Sequence, residues 1–348
     1  MGTYGQICCH PGDPESANIH VRNADAGGDD GPVTIDAVLL AAGFGTRLRP
    51  LTEVVAKPAL PLLDVPLGAW GLALLGRGGR KVAMNLSHLA EEARRTLEPY
   101  APDDVVILEE DPAPYGTAGT LKALEDDLGQ RFVTMNGDLL TDVDPDELMT
   151  AHEASGAPAT LAVKKVEAGA DLELGNGGVR GFIDRRERSG APGALFLGMA
   201  AFDRSVLGLI PAERPTGLAE AVLRPLAERG ELAVFATDTY SLDVGTPERY
   251  LRASMDLLFD AAPPPALGWH GHIVEVDGGK AYLGPGTEVA PGAVGDGAIV
   301  LTGARVEGYV SRSIVWTDEV VPGDAKVKDA IWFRGAPLDL PNGNVFDR

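Results

Sequence analysis

Cysteine is almost missing from this chain: there are 2 among 348 residues, adjacent at Cys8 and Cys9. One neighbouring pair builds no disulfide framework, so a reducing cytoplasm is the expected setting. Cations are scarce as well. Lys and Arg number 30 against 51 Asp and Glu, a formal charge of −21, which argues against nucleic acid or an anionic membrane as a partner. The start of the chain lacks a secretory apolar segment, and Gln6 stands where N-myristoylation after Gly2 requires Ser or Thr. Two familiar phosphate loops are lacking too. No Gly-Lys-Ser/Thr closes a Walker A loop, and Leu48 occupies the place of the third glycine of a dinucleotide fingerprint.

What is present concentrates in one stretch. Val38-Leu39-Leu40-Ala41-Ala42 is a continuous apolar run, the pattern of a strand buried on both faces of a parallel sheet. It breaks into Gly43-Phe44-Gly45-Thr46-Arg47-Leu48, followed by Pro50-Leu51-Thr52 and by Lys57-Pro58. Two glycines let the backbone turn sharply and offer bare N–H groups to phosphate oxygens. Arg47 and Lys57 add fixed positive charge beside that turn, as a polyphosphate substrate requires. An acidic protein that handles phosphates must gather its cations at the site.

The length allows a full α/β domain and a smaller module. Residues 1 to 33 are rich in Gly, Asp, Asn and Pro, carry no hydrophobic period, and are expected to form a disordered lead. Cys8, Cys9, His10 and His20 match no zinc spacing and read as incidental. Beyond the lead, Leu67–Leu75 reads as a helix, residues 80–86 as a strand and 89–97 as an amphipathic helix. Residues 105–108 read as a strand, 121–128 as a helix and 132–136 as a buried strand. The alternation predicts a doubly wound, mostly parallel, Rossmann-like α/β sheet, with ligands beyond the carboxyl ends of its strands.

The string from Gly43 to Leu48, with Pro50-Leu51-Thr52 and Lys57-Pro58, resembles the signature of the sugar-nucleotide pyrophosphorylases. These are nucleoside triphosphate:sugar-1-phosphate nucleotidyltransferases, and the resemblance spans roughly residues 35–256. It implies a glycosyltransferase-A-like fold. Ala56 departs from the Pro frequent before the family's lysine, which loosens the backbone slightly. Tyr115-Gly116-Thr117-Ala118-Gly119 is similar to the element that packs on the nucleotide base, with Tyr115 where Leu is common; a capped helix start with Thr117 as N-cap is the alternative reading. Asn136-Gly137-Asp138 resembles the motif whose aspartate binds Mg²⁺. Asp243-Val244-Gly245-Thr246-Pro247-Glu248 resembles the one supplying the second metal carboxylate, with Thr246 as N-cap and Pro247 at the first helical position. The resemblance implies catalytic roles for Arg47, Lys57 and Asp138, and nucleotide contacts from Ala42, Gly43, Gly45, Thr46, Glu110, Gly116, Thr117 and Asn136. It implies sugar-phosphate contacts from Arg185 and Gly198, and Mg²⁺ on Asp138 and Asp243. Arg185 stands where the family often has Lys, and a solvated charge cluster is the other reading there.

Residues 261–267, with Pro263-Pro264-Pro265, read as a stiff linker between a nucleotidyltransferase domain at 34–260 and a module at 268–348. In that module Leu283 and Val289, and again Val315, Val321 and Val327, stand six apart, in two runs that are out of register. This is the hexapeptide pattern of a parallel β-helix, and it looks like the left-handed β-helix tail of many pyrophosphorylases. A homo-oligomer contact or a structural cap is expected of it. His270 and His272 precede the repeats, which argues against a β-helix acyltransferase. The implied reaction joins an NTP and a sugar-1-phosphate into an NDP-sugar and pyrophosphate. GTP with mannose-1-phosphate is the first choice, and UTP or dTTP with glucose-1-phosphate is the alternative. A non-catalytic sugar-nucleotide sensor is the reading of another class, and the joint presence of Arg47, Lys57, Asp138 and Asp243 argues against it.

Overall fold

The computed structural model describes residues 4–6, 18–22, 34–175, 177–184, 190–262, 267–338 and 340. The chain divides into two compact units, Met1–Phe44 with Gly71–Ser241, and Gly45–Trp70 with Leu242–Arg348. Two stretches of the N-terminal lead are described, and both are strands, Tyr4–Gln6 and Asn18–Arg22. Cys8, Cys9, His10, Arg185 and Pro263-Pro264-Pro265 lie outside the described residues.

The first unit is built on one sheet. Its strands run Tyr4–Gln6, Asn18–Arg22, Val106–Glu109, Val82–Leu86, Ile35–Leu40, Leu128–Asn136, Gly193–Asp203, Ala159–Val166 and Leu232–Ala236 in spatial order. The four strands from Val106–Glu109 to Leu128–Asn136 are mutually parallel, as are Ala159–Val166 and Leu232–Ala236. Gly193–Asp203 lies antiparallel between these two groups. Leu172–Gly175 and Gly178–Phe182 pair as an antiparallel hairpin. Ile35–Leu40 and Val82–Leu86 are apolar on nearly every residue because helices cover both faces of the sheet. One face buries Ala118, Leu121 and Leu124 with Val222, Leu223 and Leu226 against Val38, Val106 and Leu108. From Ile35–Leu40 the chain lays two strands on one side and then crosses to Leu128–Asn136 on the other. Such a reversal opens a crevice at the carboxyl ends of the strands.

Leu67–Leu75 is helical as read from sequence. The helix expected at 121–128 is instead Thr117–Ala123, and Leu128 opens a strand. Its start is fixed from far along the chain, where Thr216 O accepts from Ala118 N and Gly119 N. Its end closes in a turn, with Asp127 N and Leu128 N both donating to Leu124 O. Local periodicity carries neither contact.

In the second unit, Gly279–Leu283, Ala298–Val300, Ser313–Val315 and Ile331–Phe333 form a parallel ladder. Tyr282 faces Ile299, Ile299 faces Ile314 and Ile314 faces Ile331, giving coils of 17, 15 and 17 residues. Glu288–Val289, Arg305–Val306 and Val320–Val321 form a second parallel ladder, and Tyr309–Ser311 pairs with Lys326–Lys328 in a third. Val315, Val321 and Val327 share one apolar core with Val300, Val306 and Val310. Coils shorter than three hexapeptides account for the two runs that fall out of register. Gly297, Arg312 and Asp329, again 15 and 17 residues apart, turn successive coils through left-handed backbone.

The Gly45–Trp70 segment is tied into this same unit. Tyr250 Oη donates to Pro61 O at 2.6 Å, and Thr302 N donates to Asp64 Oδ1 at 3.0 Å. Arg334 Nη1 reaches Glu53 Oε2 at 3.0 Å. Burial, with the nearby Asp64 charge, pushes the Tyr250 phenol well above its ordinary range, so it stays a donor. Among the described residues no helix is long and apolar enough to cross a membrane.

Candidate active site

In the first unit the crevice lies where Ala41, Ala42, Gly43 and Phe44 leave the Ile35–Leu40 strand and Gly137 and Asp138 leave its neighbour. Gly137 N donates to Leu40 O at 2.8 Å. A methyl group on Gly137 would meet Ala41 Cα at 2.8 Å, so glycine is what lets the two strand exits close on each other. Asp138 follows directly and is partly exposed. Gly198, with φ +75°, lies against Asn136; a Cβ there would sit 3.2 Å from Asn136 Nδ2. Asn136, Asp138 and Gly198 thus gather at one strand end.

The N–H groups of Ala41 and Ala42 do not face open space. Both donate to Asn85 Oδ1, at 2.7 and 3.2 Å. Asn85 is buried, and its Nδ2 donates to Glu110 Oε1 and Thr120 Oγ1, each at 2.8 Å. Thr120 Oγ1 donates in turn to Glu110 Oε1 at 2.6 Å, and Tyr115 N donates to Glu110 Oε2 at 2.8 Å. Glu110 is therefore a buried anchor of the loop that ends in Tyr115, satisfied by three donors. Sequence reading missed Asn85; its signal is a lone amide inside the apolar string Val82-Ala83-Met84-Asn85-Leu86.

Gly116, not Thr117, is the N-cap of helix Thr117–Ala123. Its φ of +78° and ψ of 157° belong to a region nearly confined to glycine, and a Cβ there would lie 2.7 Å from Thr216 N. Thr117 Oγ1 accepts from Leu218 N at 2.8 Å. The Arg214 guanidinium stacks on the Tyr115 ring at 3.9 Å. Residues 214–218 therefore cover this loop, and a Pro-Thr-Gly turn at 215–217 is their only sequence signal. Phe44 is half exposed and tilts against the His88 ring at 6.0 Å.

In the second unit Gly45 takes left-handed backbone at φ +57°, and its carbonyl accepts from Thr52 Oγ1 at 2.8 Å. A Cβ on Gly45 would meet Thr52 Cγ2 at 2.8 Å and Lys57 Cβ at 3.3 Å, so the turn packs directly beneath the lysine. Ala56 holds φ at −62°, the angle a proline ring would impose. Thr46 and Arg47 are exposed. Arg47 Nη2 and Asp243 Oδ1 crowd the same space over Gly245, 3.0 and 2.5 Å from the point a Cβ would occupy. Arg249 Nη1 binds Asp243 Oδ2 at 2.8 Å. Thr246 caps helix Pro247–Leu258 by accepting from Arg249 N at 3.4 Å, with Pro247 in its first turn. Arg47, Asp243 and Arg249 thus form one charged cluster, with Gly245 as its floor. Among the described residues no group of three or more His, Cys, Asp and Glu side chains is placed to hold a metal ion.

Comparison with known proteins agrees with this topology. Residues 36–259 match the family model described as nucleotidyl transferase. The mannose-1-phosphate guanylyltransferase of Mycobacterium tuberculosis is 30% identical over 297 residues, which is 78% of this chain and 81% of that relative. The mannose-1-phosphate guanylyltransferase catalytic subunit beta of Drosophila pseudoobscura pseudoobscura is 30% identical over 225 residues, 62% of this chain and 60% of its own length. Among solved structures, HddC from Yersinia pseudotuberculosis superposes with a TM-score of 0.53 at 21% identity, covering 63% of this chain and 98% of HddC, a likeness of fold.

Proposed function

We propose that this chain, which belongs to the nucleotidyl transferase family, joins GTP and mannose-1-phosphate into GDP-mannose and pyrophosphate. The observation that carries the substrate pair is its likeness to the Mycobacterium tuberculosis guanylyltransferase over 78% of the chain. The gathering of Asn136, Asp138 and Gly198 at one strand end supports the site.

In this reaction an oxygen of the sugar phosphate attacks the α-phosphorus. The bond from that phosphorus to the β-phosphate bridging oxygen breaks, and pyrophosphate leaves with the electron pair. No protein nucleophile is needed, so positioning and charge neutralisation supply the rate. Arg47 and the turn at residues 43–46 hold the triphosphate, and Lys57 neutralises charge at the reacting phosphates. Gly116 and Thr117 border the base. Gly198 floors the sugar, and Arg185 binds its phosphate. Asp138 and Asp243 fit Mg²⁺ in kind, being hard oxygen donors that stay partly exposed so that water and phosphate can complete the shell. When bound, Mg²⁺ supplies Lewis-acid stabilisation of phosphate charge.

The finer architecture belongs to the same reading. It comprises a catalytic domain at 34–260, left-handed winding of the coils at 268–348, pairing of chains through those coils, and a cytoplasmic setting. The test is a pyrophosphate-release screen of purified protein over five NTPs and a panel of sugar-1-phosphates. Highest kcat/KM with GTP and mannose-1-phosphate is expected. A preference for UTP or dTTP with glucose-1-phosphate overturns the substrate pair, and release with no pair overturns the reaction.

A further inference from the structure

Two stretches of the first unit that border the nucleotide in the reading above are joined beneath the surface. Ala41 and Ala42 lead into the phosphate turn, and the base loop through Tyr115 and Gly116 runs into helix Thr117–Ala123, which carries Thr120. Asn85 Oδ1 takes both alanine N–H groups, while its Nδ2 faces Glu110 and Thr120. Glu110 then takes Tyr115 N and the Thr120 hydroxyl. Asn85, Glu110 and Thr120 are each at most 4% exposed, so water does not compete for these bonds. The amide orientation is forced. Two donors lie on one side of Asn85 and a carboxylate on the other, so a flipped amide would oppose like groups on both.

We infer that Asn85, with Glu110 and Thr120, is a positioning residue that fixes the spacing between the base loop and the strand exit at Ala41 and Ala42 that opens the phosphate turn, and so where the α-phosphorus of a bound nucleoside triphosphate comes to rest. The role rests on the nucleotide reading given above. An apolar residue would fill the strand equally well, but it could not accept two N–H groups and donate to a carboxylate at once. A displacement of about 1 Å at a reacting atom costs on the order of 10²-fold in rate. Spacing therefore matters more than the affinity of either loop alone.

The experiment compares Thr120→Val and Thr120→Ser with wild type, and adds Asn85→Ala where it folds by circular dichroism. Thr120→Val removes only the hydroxyl from the chain of bonds and keeps the side-chain shape. For each protein, kcat and KM are measured for GTP and for mannose-1-phosphate, with inhibition constants for guanosine and for inorganic tripolyphosphate. Expected for Thr120→Val is a fall in kcat of about 10-fold to 10²-fold and weakened GTP. Guanosine and tripolyphosphate, bound separately, should stay within about threefold of wild type, and Thr120→Ser should restore most of the rate. Unchanged kcat in folded Thr120→Val overturns the inference. So does a loss for one fragment as large as the loss for GTP, because the bonds would then shape a single subsite. Wild-type inactivity with GTP and mannose-1-phosphate strikes the substrate pair alone; the comparison is then read with the triphosphate that the screen selects and its own nucleoside.

Discussion

Replacing Gly116 with alanine should damage both stability and nucleotide binding. The backbone at φ +78° and ψ 157° lies where residues with a side chain cost about 1–3 kcal/mol. The new methyl group would also lie 2.7 Å from Thr216 N, which is backbone and cannot swing aside. If Thr216 retreats, its carbonyl releases Ala118 N and Gly119 N at the buried start of helix Thr117–Ala123, at about 1 kcal/mol for each bond. At roughly 2–4 °C per kcal/mol for a unit of this size, the melting temperature should fall by about 10 °C. The assay is thermal unfolding followed by circular dichroism, with urea melts for the free energy and GTP KM at a temperature where both proteins are folded. Gly181→Ala is the control, because its φ is not left-handed and a Cβ there meets nothing within 4 Å; it should stay within about 0.5 kcal/mol of wild type. A Gly116→Ala protein as stable as the control would refute the reasoning.

Other outcomes follow from residues already placed. Lys57→Ala and Asp138→Ala should each lower kcat by ~10²–10³-fold while circular dichroism and melting stay near wild type; near-normal turnover in either removes the role proposed for it. Asp64→Ala strands Thr302 N in a partly buried setting and should cost about 1–3 kcal/mol, read from urea melts. His152 is buried beside Thr160 and Asp203, and burial lowers its pKa despite the opposing pull of Asp203. The folded state then binds fewer protons than the unfolded one. Its stabilising share is whole above the ordinary histidine value of 6.5 and erodes as pH falls toward the depressed folded value. Urea melts from pH 7.5 to 5.5 should show a steeper loss for wild type than for His152→Gln, and parallel slopes would contradict the assignment.

Features written in short-range chemistry were legible in the sequence. Pro247 after Thr246 announces a helix start, and the apolar run through Leu40 into two glycines announces a buried strand and a turn. Features set by distant partners were not. Thr117–Ala123 takes its start from Thr216, and no window around residue 117 contains that carbonyl. Asn85 owes its meaning to Ala41, Ala42, Glu110 and Thr120, which lie on two loops and a helix elsewhere in the chain, so a lone amide among apolar neighbours marks the position without naming what it holds. The coil lengths of 17, 15 and 17 were hidden for a similar reason. Valines six apart mark faces, but the register that counts is set by the partner strand.

Arg47 and Lys57 sit on the stretch that Thr302 and Arg334 grip through Asp64 and Glu53. Anyone who deletes or swaps the tail of this protein is therefore also loosening the mooring of the two cations proposed to meet the triphosphate. A shortened version that loses turnover while its sheet survives would be read too quickly as a failure of assembly.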